Sequence, residues 1–258
     1  MRVWHMSGAG NDFAVVDARG QALDFSPLAK RLCADLGTDG FMALDHGDDA
    51  DFKLHFYNPD GSRGEMCGNG SRCICRFAYD NGIAGESMVI HTDAGLVFGW
   101  RLSENQYRVQ LNNPSILDLH RKENAAYVEL GDPGIPHAVV EMAQLDFRCK
   151  EALHQQAVAL RYDPAFPKGA NINFFTALDK DSVRILTYER GVEDYTLACG
   201  TGSGSVASVL HAQGRLPGGR LTCYCPGGTL QVAVGASNSS ITSILLEGPA
   251  EIIKILDV

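Results

Sequence analysis

The sequence predicts an α/β (α+β) fold made of two like domains, and three observations carry that prediction. A Cys-Gly-x-Gly-Ser box occurs once in each half, as Cys67-Gly68-Asn69-Gly70-Ser71 and Cys199-Gly200-Thr201-Gly202-Ser203, with 199 − 67 = 132 residues between the cysteines. The echo continues beyond the boxes: Gly82 and Gly214 each lie 15 residues after their cysteine, and Asp93-Ala94-Gly95 corresponds to Cys225-Pro226-Gly227 at the same offset. Alternating apolar and polar runs precede both boxes, and small and apolar residues follow them. Each half therefore reads as strand, turn, box, helix, glycine stop, strand and glycine turn, a duplication and not a short-period solenoid.

The totals agree with this. A chain of 258 residues with 45% hydrophobic and 21% charged residues can bury a sizeable core. A formal net charge of −9 without a basic tract argues against a nucleic-acid or anionic-membrane partner. No apolar run approaches membrane-spanning length, and Met1-Arg2-Val3-Trp4-His5-Met6 lacks the basic and apolar regions of a secretory signal. Eight cysteines, too sparse for a secreted disulfide scaffold, fit a reducing compartment, so the expected location is the cytoplasm.

In chain order, Gly8-Ala9-Gly10-Asn11 is a turn that opens the β-rich run Asp12 to Asp17; Asn11 reads either as a turn residue or as a ligand-binding amide. Ser26-Pro27-Leu28-Ala29-Lys30-Arg31-Leu32-Cys33 predicts a helix capped by Ser26 with Pro27 at its first position and Cys33 as a small buried hydrophobe. Phe41 to Leu44 reads as a strand. Asp45 to Asp51 is acidic but lacks the ligand spacing of a calcium loop, and reads as a solvated turn. The half-buried strand Phe52 to Tyr57 leads through the turn Asn58-Pro59-Asp60-Gly61-Ser62 to the first box. A helix from Arg72 to Tyr79 follows, closed by Asn81-Gly82. Strands at Val89 to Thr92, Gly95 to Trp100 and Tyr107 to Leu111 form a meander, and Asn112-Asn113-Pro114 marks the boundary of a first domain spanning 1–115.

The second domain, 116–248, resumes with strands at Ala126 to Leu130 and Ile135 to Val140 around the turn Gly131-Asp132-Pro133-Gly134. A helix from Glu151 to Ala159 precedes Gly169-Ala170-Asn171-Ile172-Asn173-Phe174-Phe175, which echoes the Gly10-Asn11 pattern. The strand Val183 to Tyr188 ends in Glu189-Arg190-Gly191, just before the second box. The last strand, Glu251 to Leu256 within 249–258, is expected to return to the first domain.

A thiol at a helix start sits among unpaired N–H groups and partial positive charge, which bind an anion and depress the thiol's pKa. The duplicated boxes fit neither a cysteine–histidine nucleophile, nor a metal site, nor a Cys-x-x-Cys redox pair. Cys73-Ile74-Cys75 and Cys223-Tyr224-Cys225 are each Cys-x-Cys; ordinary packing of small apolar side chains outweighs metal binding there. Two thiols at two helix starts suit proton transfer at carbon: a thiolate removes a proton from one face of a stereocentre, and a thiol returns one to the other. The glycines after Cys199 lack the spacing of a dinucleotide fingerprint, and nothing resembles a pyridoxal phosphate site.

The sequence resembles the diaminopimelate epimerase family through Gly10-Asn11-Asp12-Phe13, Asn58-Pro59-Asp60-Gly61-Ser62, Met66-Cys67-Gly68-Asn69-Gly70, Pro136-His137, Asn171-Ile172-Asn173-Phe174, Tyr188-Glu189-Arg190-Gly191 and Ala198-Cys199-Gly200-Thr201-Gly202. The resemblance implies two pseudo-symmetric domains, each a curled, mostly antiparallel sheet around a central helix, with the active site in the cleft between them. It implies a cofactor-independent enzyme interconverting LL- and meso-2,6-diaminopimelate, an amino-acid substrate, and a homodimer. By position, Cys67 and Cys199 would be the acid/base pair, and Gly68, Asn69, Gly200 and Thr201 would bind the carboxylate at the reacting centre. Glu189 and Asn11 would hold its amino group, His137 and Glu189 would tune the thiols, and Asn58, Asn171 and Arg190 would read the distal amino-acid head. No metal is implied.

Three positions depart from the family's common pattern: Ile135 stands where many members have Asn, Gly40 where some have Gln, and Tyr195 where Glu is frequent. Lost polar groups around a buried head lower discrimination. A racemase of another amino acid, such as histidine, is thus an alternative on the same scaffold, and a thiol redox or binding module is a second.

Overall fold

The computed structural model describes residues 1–64, 67–238 and 240–258; Glu65 and Met66, which lead into the first box, lie outside them. The chain forms two compact units, one of residues 1–110 with 247–258 and the other of 111–246. No helix among the described residues is long and apolar enough to cross a membrane.

The first unit opens with a hairpin of strands Arg2–Gly8 and Asn11–Asp17. Its two-residue turn places Ala9 and Gly10 at φ 58° and 86°, the geometry whose twist matches that of paired strands. Helix α1 (Phe25–Leu36) crosses to Gly40–Asp45, which lies parallel to Asn11–Asp17. Ala29, Leu32 and Cys33 of α1 close over Val3, Ala14, Val16, Phe41 and Ala43 of the sheet. Its cap is Asp24, not Ser26: the Ser26 hydroxyl instead donates to the Gly61 carbonyl at 2.8 Å, and Pro27 still falls in the first turn, where no N–H is needed.

Phe52–Tyr57 runs antiparallel to Gly40–Asp45 and to the short Arg63–Gly64. Helix α2 (Gly68–Asp80) then leads to Ser87–Thr92, parallel to Phe52–Tyr57, and a meander through Gly95–Arg101 and Gln106–Leu111 completes the sheet. The helix begins at Gly68 and not at Arg72, because Cys67 caps it. It packs against Arg2–Gly8, Asn11–Asp17, Gly40–Asp45 and Gly95–Arg101, so the sheet wraps around it. Ten of its thirteen residues are buried, the mark of a helix enclosed on most sides. The last strand, Glu251–Asp257, pairs antiparallel with Arg2–Gly8.

The second unit repeats this order. Strands Pro114–Lys122, Ala125–Gly131 and Gly134–Glu141 form an antiparallel meander. Helix α3 (Lys150–Arg161) crosses to Asn171–Ala177, parallel to Gly134–Glu141. Ser182–Glu189 pairs antiparallel with Asn171–Ala177 and with the short Asp194–Thr196. Helix α4 (Gly200–Ala212) then leads to Arg220–Cys225, parallel to Ser182–Glu189, followed by Gly228–Ser237 and Ser240–Pro249. The two enclosed helices keep the repeat at both ends, 200 − 68 = 132 and 212 − 80 = 132.

Topology corrects one sequence echo. Asn11 opens the second strand of a hairpin, whereas Asn171 opens the strand that follows a crossover helix, so its counterpart position lies in Gly40–Asp45. Several strands carry no sequence expectation: Arg2–Gly8, Arg63–Gly64, Pro114–Lys122, Asp194–Thr196, Gly228–Ser237 and Ser240–Pro249. Pro114–Lys122 has no buried residue and so no period-two signal, and Arg63–Gly64 and Asp194–Thr196 are too short to show one.

Candidate active site

Each box cysteine is the N-cap of its enclosed helix. Cys67 and Cys199 have extended backbones, φ/ψ −128°/119° and −119°/112°, and each sulfur accepts the N–H of the third helical residue, Gly70 at 3.5 Å and Gly202 at 3.3 Å. A thiol thus does the work of the usual Ser or Asp cap. Gly68, Asn69, Gly200 and Thr201 form the first turns, where an α-helix has no carbonyl for the N–H groups to bond and its dipole favours negative charge. Glycine is required by space: a Cβ on Gly202 would overlap Asn173 Oδ1, and one on Gly8 would lie 2.8 Å from the Asn69 carbonyl oxygen.

In the first unit the helix start is fixed by a buried polar chain. Asn69 Nδ2 donates to Asn11 Oδ1 at 2.6 Å, and Asn69 Oδ1 accepts from Arg72 Nη2 at 3.1 Å. Arg72, fully buried, also donates to the carbonyls of Gly68 at 3.3 Å and Pro249 at 3.2 Å. Beside Asn11, Asp39 accepts the Asp12 N–H at 2.9 Å, and Asp12 pairs with His5 at 3.0 Å. The hairpin and helix thereby bring Asn11, Gly68 and Asn69 together with Cys67. Asn58 belongs to its own turn, donating to Ser62 Oγ at 2.9 Å.

In the second unit Cys199 is buried, and its sulfur accepts the Gly202 N–H and lies 3.5 Å from the Thr201 hydroxyl. Burial first, then the negative charge of Glu189, push this thiol well above its ordinary range, against the weaker pull of the Thr201 hydroxyl and the Gly202 N–H. The expectation that a helix start depresses the thiol pKa therefore fails at Cys199: desolvation and a neighbouring carboxylate outweigh the helix end. Glu189 Oε1 also accepts the Thr196 hydroxyl at 2.8 Å. His137 is fully buried, and burial followed by the charge of Arg190 lowers its pKa to about 3, so it is a neutral imidazole at physiological pH.

Asn171 and Arg190 meet, but through the main chain: Asn171 Oδ1 accepts the Arg190 N–H at 2.8 Å, and Asn171 Nδ2 donates to the Pro136 carbonyl at 3.3 Å. Both polar ends of the Asn171 side chain are thus engaged by backbone, and the exposed Arg190 guanidinium rests on the Lys168 carbonyl at 3.0 Å.

Of the three departures, Tyr195 lies off this site. Its ring packs on Tyr188 at 5.5 Å and near His154 of α3, within the core beneath that helix, while the next residue, Thr196, faces Glu189. Alternation along the strand separates them. Gly40 has a packing cause: a Cβ there would sit 2.7 Å from the Phe56 ring, which covers the position. Ile135 alternates with Pro136 and so shares the strand face of His137.

Four residues join the site without having been singled out from sequence: Arg72, Asn173, Thr187 and Thr196. Their signal was available in part, since Asn173 and Thr187 sit two residues from Asn171 and Glu189 on adjacent strands. Cys73 and Cys75 are buried, packing their sulfurs against Gly8 and Gly99; burial pushes the Cys73 thiol up to about 12 and Cys75 higher still. Cys223 is likewise buried and raised. Among the described residues no three His, Cys, Asp or Glu side chains are grouped to hold a metal.

The family described as diaminopimelate epimerase matches residues 3–117 and 131–253. A diaminopimelate epimerase of Aquifex aeolicus is 36% identical over 234 residues, covering 83% of this chain and 82% of its own. One from Flavobacterium psychrophilum is 31% identical over 259 residues and covers 98% of both chains. In fold, the Bacillus anthracis phenazine biosynthesis protein of the PhzF family superposes with a TM-score of 0.78 at 15% identity, over 100% of this chain and 98% of that one. The family match extends across both cysteine boxes and the relatives align along most of the sequence, and the chain belongs to the diaminopimelate epimerase family.

Proposed function

We propose that this chain is an isomerase that inverts the α-carbon of LL-2,6-diaminopimelate to the meso form without a cofactor, with Cys67 and Cys199 as the two proton-transfer groups. The observation that carries the reading is the duplicated cap: the same thiol, on the same first-turn amides, at the start of the same enclosed helix in each unit. The names of the aligned relatives support the substrate.

Inversion by two bases needs a thiolate on one side of the carbon and a thiol on the other, so the mechanism draws one sulfur from each unit. As the Cα–H bond breaks, its electron pair moves into the carboxylate of the reacting centre. First-turn N–H groups of Gly68, Asn69, Gly200 and Thr201 oppose that charge and lower the barrier. Cys199, held protonated beside Glu189, is the resting acid when Cys67 starts as the base. In the reverse direction Glu189 accepts the Cys199 proton and the sulfur becomes the base. Asn11 and Glu189 hold the α-amino group, and His137 completes the surroundings of the thiols. Arg190, its main chain clamped by Asn171, reads the distal amino-acid head with Asn58. On family grounds alone the reading extends to a cytoplasmic homodimer, which light scattering and fractionation test.

The direct test is solvent-deuterium exchange at the α-position over a panel of amino acids. Wild type incorporates deuterium into diaminopimelate, and Cys67→Ala and Cys199→Ala each lose inversion. Normal turnover by either variant sinks the mechanism. Preference for an amino acid without a distal head, which Ile135 on the His137 face would favour, sinks the substrate.

A further inference from the structure

We propose that Asn173 and Thr187 are positioning residues that lock His137 in one neutral tautomer, with the proton on Nε2 and the lone pair on Nδ1, so that His137 presents a fixed N–H donor. The inference rests on the site described above and assigns work to two residues outside the substrate-binding set.

Asn173 is fully buried and its amide can face only one way. Nδ2 lies 3.0 Å from the Ala138 carbonyl oxygen and 3.3 Å from that of Asn171, and carbonyls only accept, so this atom is the NH2. Its partner oxygen, Oδ1, accepts the Thr187 hydroxyl at 3.0 Å. The same NH2 lies 3.1 Å from His137 Nδ1. An amide nitrogen has no lone pair to offer, so a proton on Nδ1 would point at another proton; Nδ1 must accept. In a neutral ring the proton then belongs to Nε2.

Nε2 is itself buried, and among the described residues it has no hydrogen-bond partner. A buried donor without a partner is destabilising, and a ligand can relieve it. A ligand acceptor satisfies it, and the acceptor that the reaction supplies is the anionic oxygen or sulfur of the proton-transfer step. His137 contributes a dipole of fixed direction to that step, and no proton of its own. The orphan donor and the Thr187–Asn173–His137 chain together carry the inference. Gly202 belongs to it as well, because a side chain there would overlap Asn173 Oδ1.

The experiment is long-range proton–nitrogen NMR on selectively labelled histidine in the substrate-free protein, with His137→Gln used to assign the resonance. Wild type is expected to show a protonated Nε2 and an unprotonated Nδ1, unchanged between about pH 5 and 9. Asn173→Asp replaces the donor with a carboxylate and is expected to move the proton to Nδ1. Asn173→Ala is expected to leave a mixture of tautomers and, in deuterium exchange, to lower kcat by about 10²-fold with KM little changed. Thr187→Ser, which keeps the hydroxyl, restores the wild-type pattern where Thr187→Val does not. A wild-type Nδ1–H, or a tautomer unmoved in both Asn173 variants, overturns the proposal. If Asn173→Asp does not fold, the wild-type spectrum and Asn173→Ala still decide. The tautomer is read without substrate, so a failure of the diaminopimelate assignment shows in the exchange panel alone and is distinct from a failure here.

Discussion

Replacing Gly202 by alanine tests how tightly the second thiol is coupled to the polar groups beneath its helix. An added Cβ overlaps Asn173 Oδ1 and lies 3.2 Å from both Cys199 Cβ and Thr187 Oγ1. None of these is the loose end of a long side chain: the Asn173 amide is held from both sides, and Cys199 Cβ is one bond from the backbone. Alanine gains about 1 kcal/mol over glycine within a helix. Overpacking costs about 1–3 kcal/mol, and disturbing the buried Thr187–Asn173 hydrogen bond costs about 1 kcal/mol more. The net expectation is a loss of about 2 kcal/mol, or about 4–8 °C in Tm for a chain of this size. Deuterium exchange should fall by about 10²-fold, because the displaced amide carries His137 with it. Gly204→Ala on the same helix is the comparison. Its Cβ meets Leu111 Cδ1 at 2.9 Å and Ile244 Cγ2 at 3.4 Å, aliphatic ends that turn aside, so stability should change by less than about 1 kcal/mol. Thermal unfolding and exchange together read both effects. A Gly202→Ala protein matching wild type in both would refute the coupling.

The depressed pKa of His137 gives the fold an acid limit. The ring titrates near 3 in the native protein against an ordinary 6.5, so its stabilisation is complete above 6.5 and is lost as pH falls through that window, because the unfolded chain takes the proton first. The slope contributed is about 1.4 kcal/mol per pH unit; His137→Gln should flatten urea-unfolding midpoints between those pH values, and an unchanged acid slope would count against it. Arg72→Met should cost about 3 kcal/mol in chemical denaturation, since it strips a buried donor from Asn69 and from the Gly68 and Pro249 carbonyls. Arg72→Lys should recover only part of that loss, because a point charge cannot serve a forked set of acceptors; a wild-type midpoint for Arg72→Met would refute the role.

Much of the site was legible because its chemistry is local. A cysteine followed by Gly-x-Gly-Ser is its own N-cap, and both helices start where their boxes do. Side chains that act across strands were less legible. Asn173, Thr187 and Thr196 are ordinary strand residues in one dimension, and only the pairing of Asn173 with Thr187 and of Thr187 with Thr196 puts them on the face toward Glu189 and α4. Asn171 is expected from the resemblance to read the distal head, and the structure shows its side chain bonded to the Arg190 and Pro136 backbone, contacts that no linear pattern records. Tyr195 was counted among substrate-facing departures and packs into the core under α3, since a strand turns neighbouring residues to opposite faces.

By itself the sequence determined the duplication, the two thiols at two helix starts, and the proton-transfer chemistry that such a pair suits. Those features depend on spacing and on residues within one turn of each other, which a linear pattern records. Tertiary structure alone decided the protonation state of the site. Cys199 stays a thiol because burial and Glu189 outweigh the helix end, and His137 stays neutral because it is enclosed beside Arg190. Both outcomes are set by desolvation and by charges that arrive from other strands, and neither quantity exists until the chain has folded.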